Sequence, residues 1–281
     1  MGMFSIVNSR MPSRSAEVAP VRAPAHDARP LYLLPSSRCI VDLDGPALVV
    51  RSGRYGRALY PLGRVSRVVS AASVDWKAQA LCACLARGIP VVLLAADGSP
   101  VGYVQPATLA RSSLHHLLAE LVDRPDWQER HMNWLRAERM RVVQRWIWDR
   151  ESDGRPVDEA RRRDVVRQYV YAIERAVPLG RRTGVYRAAL MALSCEKIHK
   201  AGLASSYPGC NGTELHLAAD ICDLLALSLE LELQDALGDA IEQMAESVHV
   251  IETFSEALQH CVESILGRLH RHVLGLLGEW R

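Results

Sequence analysis

Two aspartates at helical spacing are the strongest candidates for chemistry in this sequence. Asp220 and Asp223 lie in an apolar-periodic segment, and residues three apart share one face of a helix. Two carboxylates on one face can converge on a hard divalent cation, which phosphoryl-transfer chemistry uses to offset the charge of the attacked phosphate. His216, four residues before Asp220, falls on the same face and is a candidate third ligand and catalytic residue. The alternative is a solvated acidic face, with His216 half-exposed in the first turn, opposite an apolar arc of Leu217, Ile221, Leu224 and Leu225.

Arginines concentrate between positions 124 and 182, where 15 Arg stand against 10 Asp and Glu. Arginines that could contact DNA phosphates here are Arg139, Arg141, Arg145, Arg161, Arg162, Arg163 and Arg167. The favoured candidates are Arg139, Arg145, Arg162, Arg163 and Arg167. Tryptophans are interleaved with these arginines and can stack on splayed bases: Trp127, Trp134, Trp146 and Trp148. The alternative is a core of tryptophans with a solvated arginine rim, in which the arginines at 161–163 pair with Asp164.

The formal net charge of +2 conceals this basic block and an acidic one. From residue 201 to residue 267, 12 Asp and Glu occur without any Lys or Arg. Blocks of opposite sign predict two surfaces of different charge. We interpret the acidic stretch from Glu230 to Glu263 as a solvated face or as a docking face for a protein, because DNA would be repelled from it.

Several classes of protein are excluded by what the sequence lacks. No apolar run reaches the roughly 18 residues of a membrane span, and the first 30 residues have no apolar signal-peptide core, so we expect a cytoplasmic protein. The seven cysteines form no C-x-x-C pair, which indicates reduced thiols rather than a zinc site or a disulfide framework. No nucleophile elbow, P-loop or H-E-x-x-H motif occurs.

Hydrophobic periodicity predicts an α+β fold: a small N-terminal β-rich domain of hairpins plus one helix, followed by a larger all-α-helical domain. Residues 1–29 are rich in Pro, Ala, Ser and Arg and read as a flexible tail. The β-rich domain covers 30–106, with a hairpin at Asp44-Gly45 and a helix from the N-cap Ser73 to Ala86. The helical domain covers 107–281, carries the predicted metal site and is expected to contain no strand.

The order of these elements and several short motifs resemble the CRISPR adaptation integrase family, Cas1. The opening hairpin is carried by Leu31-Tyr32-Leu33 and by Asp44 to Val50, and the next strand by Tyr60-Pro61-Leu62 with Val65 to Val69. Further matches are Ala78 to Leu81, Arg87 to Val91, Asp97-Gly98 with Gly102, and Ala201-Gly202-Leu203. The acidic helix of the family is similar to the segment from Leu217 to Leu224, so the resemblance spans about residues 31–230.

The resemblance implies a homodimeric, Mg²⁺- or Mn²⁺-dependent DNA nuclease and integrase of antiviral defence. Its partners would be spacer-precursor DNA, the CRISPR repeat and the small protein Cas2. In this family the 3′-hydroxyl of the incoming strand attacks a phosphodiester of the repeat, and the metal is held by a Glu, a His and one or two further acids. The resemblance places Asp220 and Asp223 at the acidic positions of that site.

Two positions depart from the family pattern. Near the family's histidine position this chain has Cys210, a poor magnesium ligand, which leaves His216 or, on the preceding helix, His199 as the substitute. At the glutamate motif the best frame begins at Asp164, with Glu159 as the alternative. We therefore expect a metal-dependent endonuclease and integrase that inserts spacer DNA by transesterification. The alternatives are a catalytically weakened homologue that binds DNA or assembles the complex, and an unrelated α+β module that binds protein through its acidic helices.

Overall fold

The structure is a computed structural model that describes residues 28–34, 38–52, 56–96, 98–107, 110–171, 183–237 and 255–278. Residues 1–27 of the predicted tail lie outside these ranges, as do residues 238–254 of the acidic stretch. The predicted α+β class is confirmed: two small sheets in the N-terminal part precede a helical part.

The N-terminal strands form two four-stranded sheets. One has the order β1-β5-β7-β8 and the other β4-β3-β2-β6. The strands are β1 (Arg29–Leu33), β2 (Cys39–Asp44), β3 (Ala47–Ser52), β4 (Gly56–Pro61), β5 (Val65–Ala71), β6 (Val74–Trp76), β7 (Val91–Leu94) and β8 (Pro100–Val104). The predicted hairpin joins β2 to β3, with Asp44 paired to Ala47 and Gly45 in a left-handed conformation at φ 55°.

The prediction that a helix begins after Ser73 is wrong for the first turn of that helix. Val74 to Trp76 form β6, which pairs in parallel with β2 through Cys39 and Val74, and the helix α1 is only Ala78–Ala86. The Trp76 indole donates to Ser70 Oγ at 2.9 Å, which fixes this strand against β5. Pairing with a strand more than 30 residues away in the chain therefore overrides the local N-cap signal.

The helical part contains α2 (Ser113–Val122), α3 (Trp127–Ser152), α4 (Glu159–Val166), α5 (Thr183–Lys200), α6 (Leu217–Leu237) and α7 (Ser255–Gly278). A π-helical turn, Arg167–Tyr171, continues α4. The expectation of no strand here is also wrong, because Tyr207–Pro208 (β9) and Glu214–Leu215 (β10) pair antiparallel between α5 and α6. The Gly209 N–H donates to the Thr213 carbonyl at 2.6 Å and closes this short hairpin.

Strand β5 connects the two hydrophobic cores. Successive side chains of a strand point to opposite faces, so Val68 packs in the core between the sheets and Val69 packs in the core of the helices. The helical core is built mainly from α2, α5, α6 and α7, with α3 covering it through Trp127, Trp134 and Leu135. The acidic positions of α6 therefore lie on a helix that is packed on several sides.

Gly184 lies where α5 approaches the β7–β8 turn, and we expect Gly184→Ala to destabilise the fold. A Cβ atom at this position would overlap the carbonyl oxygen and carbon of Gly98, which are backbone atoms and cannot rotate away. The expected loss is about 1–3 kcal/mol in the free energy of unfolding, measured by urea titration. Gly275→Ala is the control, because a Cβ there meets nothing within 4 Å and helix propensity predicts a gain of roughly 0.5–1 kcal/mol. Equal stability of the two variants would contradict the prediction.

Candidate functional site

Asp220 is buried and already has a basic partner. Its carboxylate lies in the first turn of α6, where Leu217, Ala218 and Ile221 anchor the helix in the core. The Oδ2 atom is 2.8 Å from His131 Nε2 on α3, and both side chains are only 6% exposed. The pair therefore bridges α3 and α6 in a site from which water is largely excluded.

Asp223 also contacts a cation of a neighbouring helix. Its Oδ1 atom accepts a hydrogen bond from Arg187 Nη2 on α5. Asp223 is 15% and Arg187 is 34% exposed, so this ion pair sits at the edge of the core. The two carboxylates that the sequence places on one helix face are thus held by two different helices.

His216 lies just before α6, and its imidazole is half-exposed. Its backbone carbonyl accepts from the Asp220 N–H at 3.0 Å and begins the helix. The acid closest to its ring is Glu214, at 3.9 Å from Nε2. The exposed position agrees with a first-turn residue, and the metal and catalytic roles assigned to His216 stay predictions.

Asp164 is on the outer side of α4. It is exposed and lies 3.3 Å from Arg167 Nη2. Its neighbour Val165 is buried with Leu227 and Leu231 of α6, which follow Asp220 by two to three helical turns, roughly 10–16 Å along the axis. Packing therefore directs α4 to the later part of α6, away from Asp220. The alternative acid, Glu159, is exposed and pairs with Arg163 at 3.7 Å.

Cys210, which stands near the family's histidine position, and His199, the second substitute, both contact other parts of the fold. Cys210 is exposed in the β9–β10 turn, and its N–H donates to the Val122 carbonyl at 3.1 Å. His199 packs against Gly88 at the end of α1, where burial lowers the pKa of its imidazole.

A divalent cation does not fit the predicted ligand set in this arrangement. Within the described ranges, no group of three or more His, Cys, Asp or Glu side chains is arranged to hold a metal ion. Both α6 carboxylates instead contact side chains of the same protein, Asp220 the imidazole of His131 and Asp223 the guanidinium of Arg187. Mg²⁺ requires several oxygen ligands at about 2.1 Å in octahedral geometry, and the guanidinium beside Asp223 repels it.

The structure reveals a buried glutamate on α3 that the sequence reasoning missed. Glu138 is 1% exposed and accepts hydrogen bonds from Arg141 on α3 and from Arg268 Nε on α7, the latter at 2.8 Å. It stands on the same helical stripe as the buried Trp127, His131 and Trp134. Its signal in the sequence was the presence of two ionisable residues, His131 and Glu138, on an otherwise apolar helical stripe.

Comparisons with known proteins agree with this architecture. Residues 32–169 match the family model for "CRISPR associated protein Cas1". The chain belongs to the Cas1 family. It is a divergent member, and no curated protein matches its sequence.

Two solved structures share the Cas1 fold with this chain at low sequence identity. A Cas1 protein from Thermotoga maritima aligns with a TM-score of 0.64 and 13% identity, over 88% of this chain and 97% of that chain. TtCas1, in a crystal structure of its complex with DNA, aligns with a TM-score of 0.53 and 15% identity, over 86% and 92% of the two chains. Family membership supports an integrase or nuclease role for this chain.

The arginines predicted to contact DNA lie on helix surfaces of this Cas1 protein, and most of them are beside acids: Arg145, Arg163 and Arg167 are exposed, and Arg162 is partly exposed. Arg145 lies 3.5 Å from Asp149, Arg163 pairs with Glu159, Arg167 with Asp164, and Arg162 with Glu151. Arg139 is half-buried on α3. Exposed pairs of this kind are worth roughly 0–1 kcal/mol each, so a DNA phosphate can replace the acid at small cost.

Three of the four interleaved tryptophans, Trp127, Trp134 and Trp146, are core residues, while Trp148 is 65% exposed. Stacking on bases is therefore restricted to Trp148 within this set. The helices in the described parts of the chain are too short or too polar to cross a membrane.

Proposed function

We propose that this chain handles DNA in CRISPR adaptation as a Cas1-type subunit, in which DNA binding and assembly dominate over metal-dependent strand transfer. Family membership supports the first part of the proposal. The observation that carries the second part is that both α6 acids have side-chain partners, His131 at Asp220 and Arg187 at Asp223. Each of these two acids, which the family pattern assigns to a metal, already has a hydrogen-bonding partner in the fold.

The cost of releasing these acids supports a weakened catalytic site. A metal ion at Asp220 would displace His131 or share the carboxylate with it, and both side chains are buried. Breaking a buried pair leaves an uncompensated polar group and costs about 3–5 kcal/mol. Metal binding would have to supply this free energy before any chemistry began.

The second candidate is the metal-dependent endonuclease and integrase itself, inserting spacer DNA by transesterification with Mg²⁺ or Mn²⁺. It is favoured by the spacing of Asp220 and Asp223, which places both residues on one helix face in a chain of this family. It requires the contacts of Asp220 with His131 and of Asp223 with Arg187 to open and further ligands to approach, with His216 and Asp164 as the predicted ones.

The partners follow from the same proposal. Spacer-precursor DNA and the CRISPR repeat would be bound by the exposed arginines of α3, α4 and the π-helical turn that continues α4, including Arg145, Arg163 and Arg167. A second copy of the chain and the small Cas2 protein would complete the assembly.

An assay with branched DNA tests the proposal. Purified protein is incubated with a labelled DNA fork in Mn²⁺, Mg²⁺ or EDTA, and binding and product formation are measured separately. We expect tight binding that weakens steeply with salt, with a slope of about −0.9 per phosphate contacted, and no product above that of Asp220→Asn.

Two results would contradict the proposal in different ways. Metal-dependent cutting or joining by the wild type that Asp220→Asn loses would establish the enzyme instead. Failure of the folded wild type to bind DNA at any salt concentration would favour the protein-binding module.

A further inference from the structure

We infer that a pocket between α3 and α7 binds a phosphate group of a DNA strand through arginines of the chain itself, without a divalent cation. The inference rests on the proposed DNA-handling function. The pocket has a volume of about 500 Å³ and is lined by Trp134, Glu138, Arg141, Arg268, Arg271 and His272, among others.

The charge of this pocket favours an anion. Arg141 and Arg268 both contact the single carboxylate of Glu138, and Arg271 adds a third guanidinium one turn beyond Arg268 on α7. Burial lowers the pKa of His272, so its imidazole is neutral near pH 7. Three arginines and one glutamate therefore leave a charge of about +2 in a partly enclosed space, where opposite charges attract more strongly than in bulk water.

Buried nitrogens in the pocket wall point to an oxygen-rich ligand. Trp134 is 4% exposed, and its Nε1 has no hydrogen-bond partner within the described ranges; the same holds for His272 Nε2. An indole N–H only donates, and a buried donor without an acceptor costs about 1–3 kcal/mol. Phosphate oxygens accept from N–H groups and pair with arginine in a bidentate way, so one ligand satisfies both the charge and the indole donor of Trp134.

The pocket adjoins the family's acidic position through a column of rings. His131, which contacts Asp220, stacks on Trp134 with centroids 5.5 Å apart, and Trp134 stacks on His272 at 6.3 Å. In this chain, guanidinium groups lie next to the carboxylates where a metal would neutralise a phosphate. These arginine side chains then neutralise the phosphate themselves, so the affinity for DNA does not depend on added metal.

The test uses the full chain and a fluorescein-labelled duplex with single-stranded 3′ ends. Arg271→Glu is the main variant, because Arg271 is exposed and its replacement leaves the Glu138 pairs intact. Arg64→Glu is the matched control, an exposed arginine next to β5 in the N-terminal part. Arg271→Lys retains the charge and tests whether charge alone is needed.

We expect the Kd of the wild type to agree within about twofold in EDTA and in Mn²⁺. Arg271→Glu should weaken binding by at least about tenfold and reduce the salt slope by about one phosphate, Arg271→Lys by about threefold, and Arg64→Glu by less than about twofold. Equal effects of Arg271→Glu and Arg64→Glu would overturn the pocket while leaving DNA binding in place. Binding that disappears in EDTA would overturn the metal independence. A wild type that binds no DNA would overturn the proposed function itself, and the pocket with it.

Discussion

Asp220→Ala is expected to lower the free energy of unfolding by about 3–5 kcal/mol, because it removes one partner of a buried pair and leaves His131 in the core without it. For a chain of this size the melting temperature should fall by roughly 10 °C. Asp220→Asn keeps the shape and a hydrogen-bonding oxygen, so it should lose less than about 2 kcal/mol. Urea titration in EDTA measures both values.

Asp75→Ala is the control for this prediction. Asp75 pairs with Arg38 at 3.0 Å, but the two side chains are 53% and 82% exposed, so its loss should cost less than about 1 kcal/mol. If Asp220→Ala were as stable as the wild type in EDTA, and Mn²⁺ stabilised only the wild type, Asp220 would be a metal ligand rather than a structural partner.

This stability effect decides how activity data on Asp220 are read. An alanine variant that loses activity through partial unfolding gives the same result as one that loses a metal ligand. Asp220→Asn separates the two, because it weakens a metal site while retaining most of the contact with His131. The integrase assay therefore uses the asparagine variant.

Local signals made part of the fold predictable. The Asp44-Gly45 turn sets the β2–β3 register within a few residues, and the apolar period identifies α6 as a helix with Asp220 on it. The error at Ser73 arose where a strand about 30 residues away pairs with Val74, because a capping signal contains no information about distant partners.

The site was less predictable because the side chains that contact its two aspartates are remote from them in the sequence. His131 precedes Asp220 by 89 residues, and Arg187 precedes Asp223 by 36. No spacing rule links such residues before the helices are packed. Glu138 was within reach of sequence reasoning, because an acid on an apolar helical stripe must find a buried partner.

The segregated charges of the sequence have a physical explanation in these contacts. The acidic block at 201–267 places Asp223 beside Arg187 and Glu263 beside Lys197, and both cations lie on α5. Within the described residues, part of the negative block is therefore counter-charge for α5. Glu230 is half-buried on α6, and burial raises the pKa of its carboxyl group, so it too belongs to the packed part of the helix.

The ion pair between Arg67 and Glu196 should be the second large contributor to stability. Arg67 Nη1 of β5 lies 2.7 Å from Glu196 Oε2 of α5, the side chains are 3% and 5% exposed, and the residues are 129 positions apart. This contact joins the N-terminal sheet to the helical part. Arg67→Met leaves Glu196 paired with the more exposed Lys200, at 2.6 Å, and should cost about 3–5 kcal/mol in urea unfolding.

The double variant Arg67→Met/Glu196→Leu separates the value of the pair from the cost of breaking it. Replacing both charges by apolar side chains of similar volume leaves no buried charge, so most of the lost stability should return. Lys200 tolerates the loss of Glu196 because its side chain is 61% exposed. The exposed Arg57–Asp44 pair is the control, and Arg57→Ala should change stability by less than about 1 kcal/mol. A double variant as unstable as Arg67→Met would show that the pair is required for the packing of β5 on α5, and a stable Arg67→Met would show that Lys200 alone can neutralise Glu196.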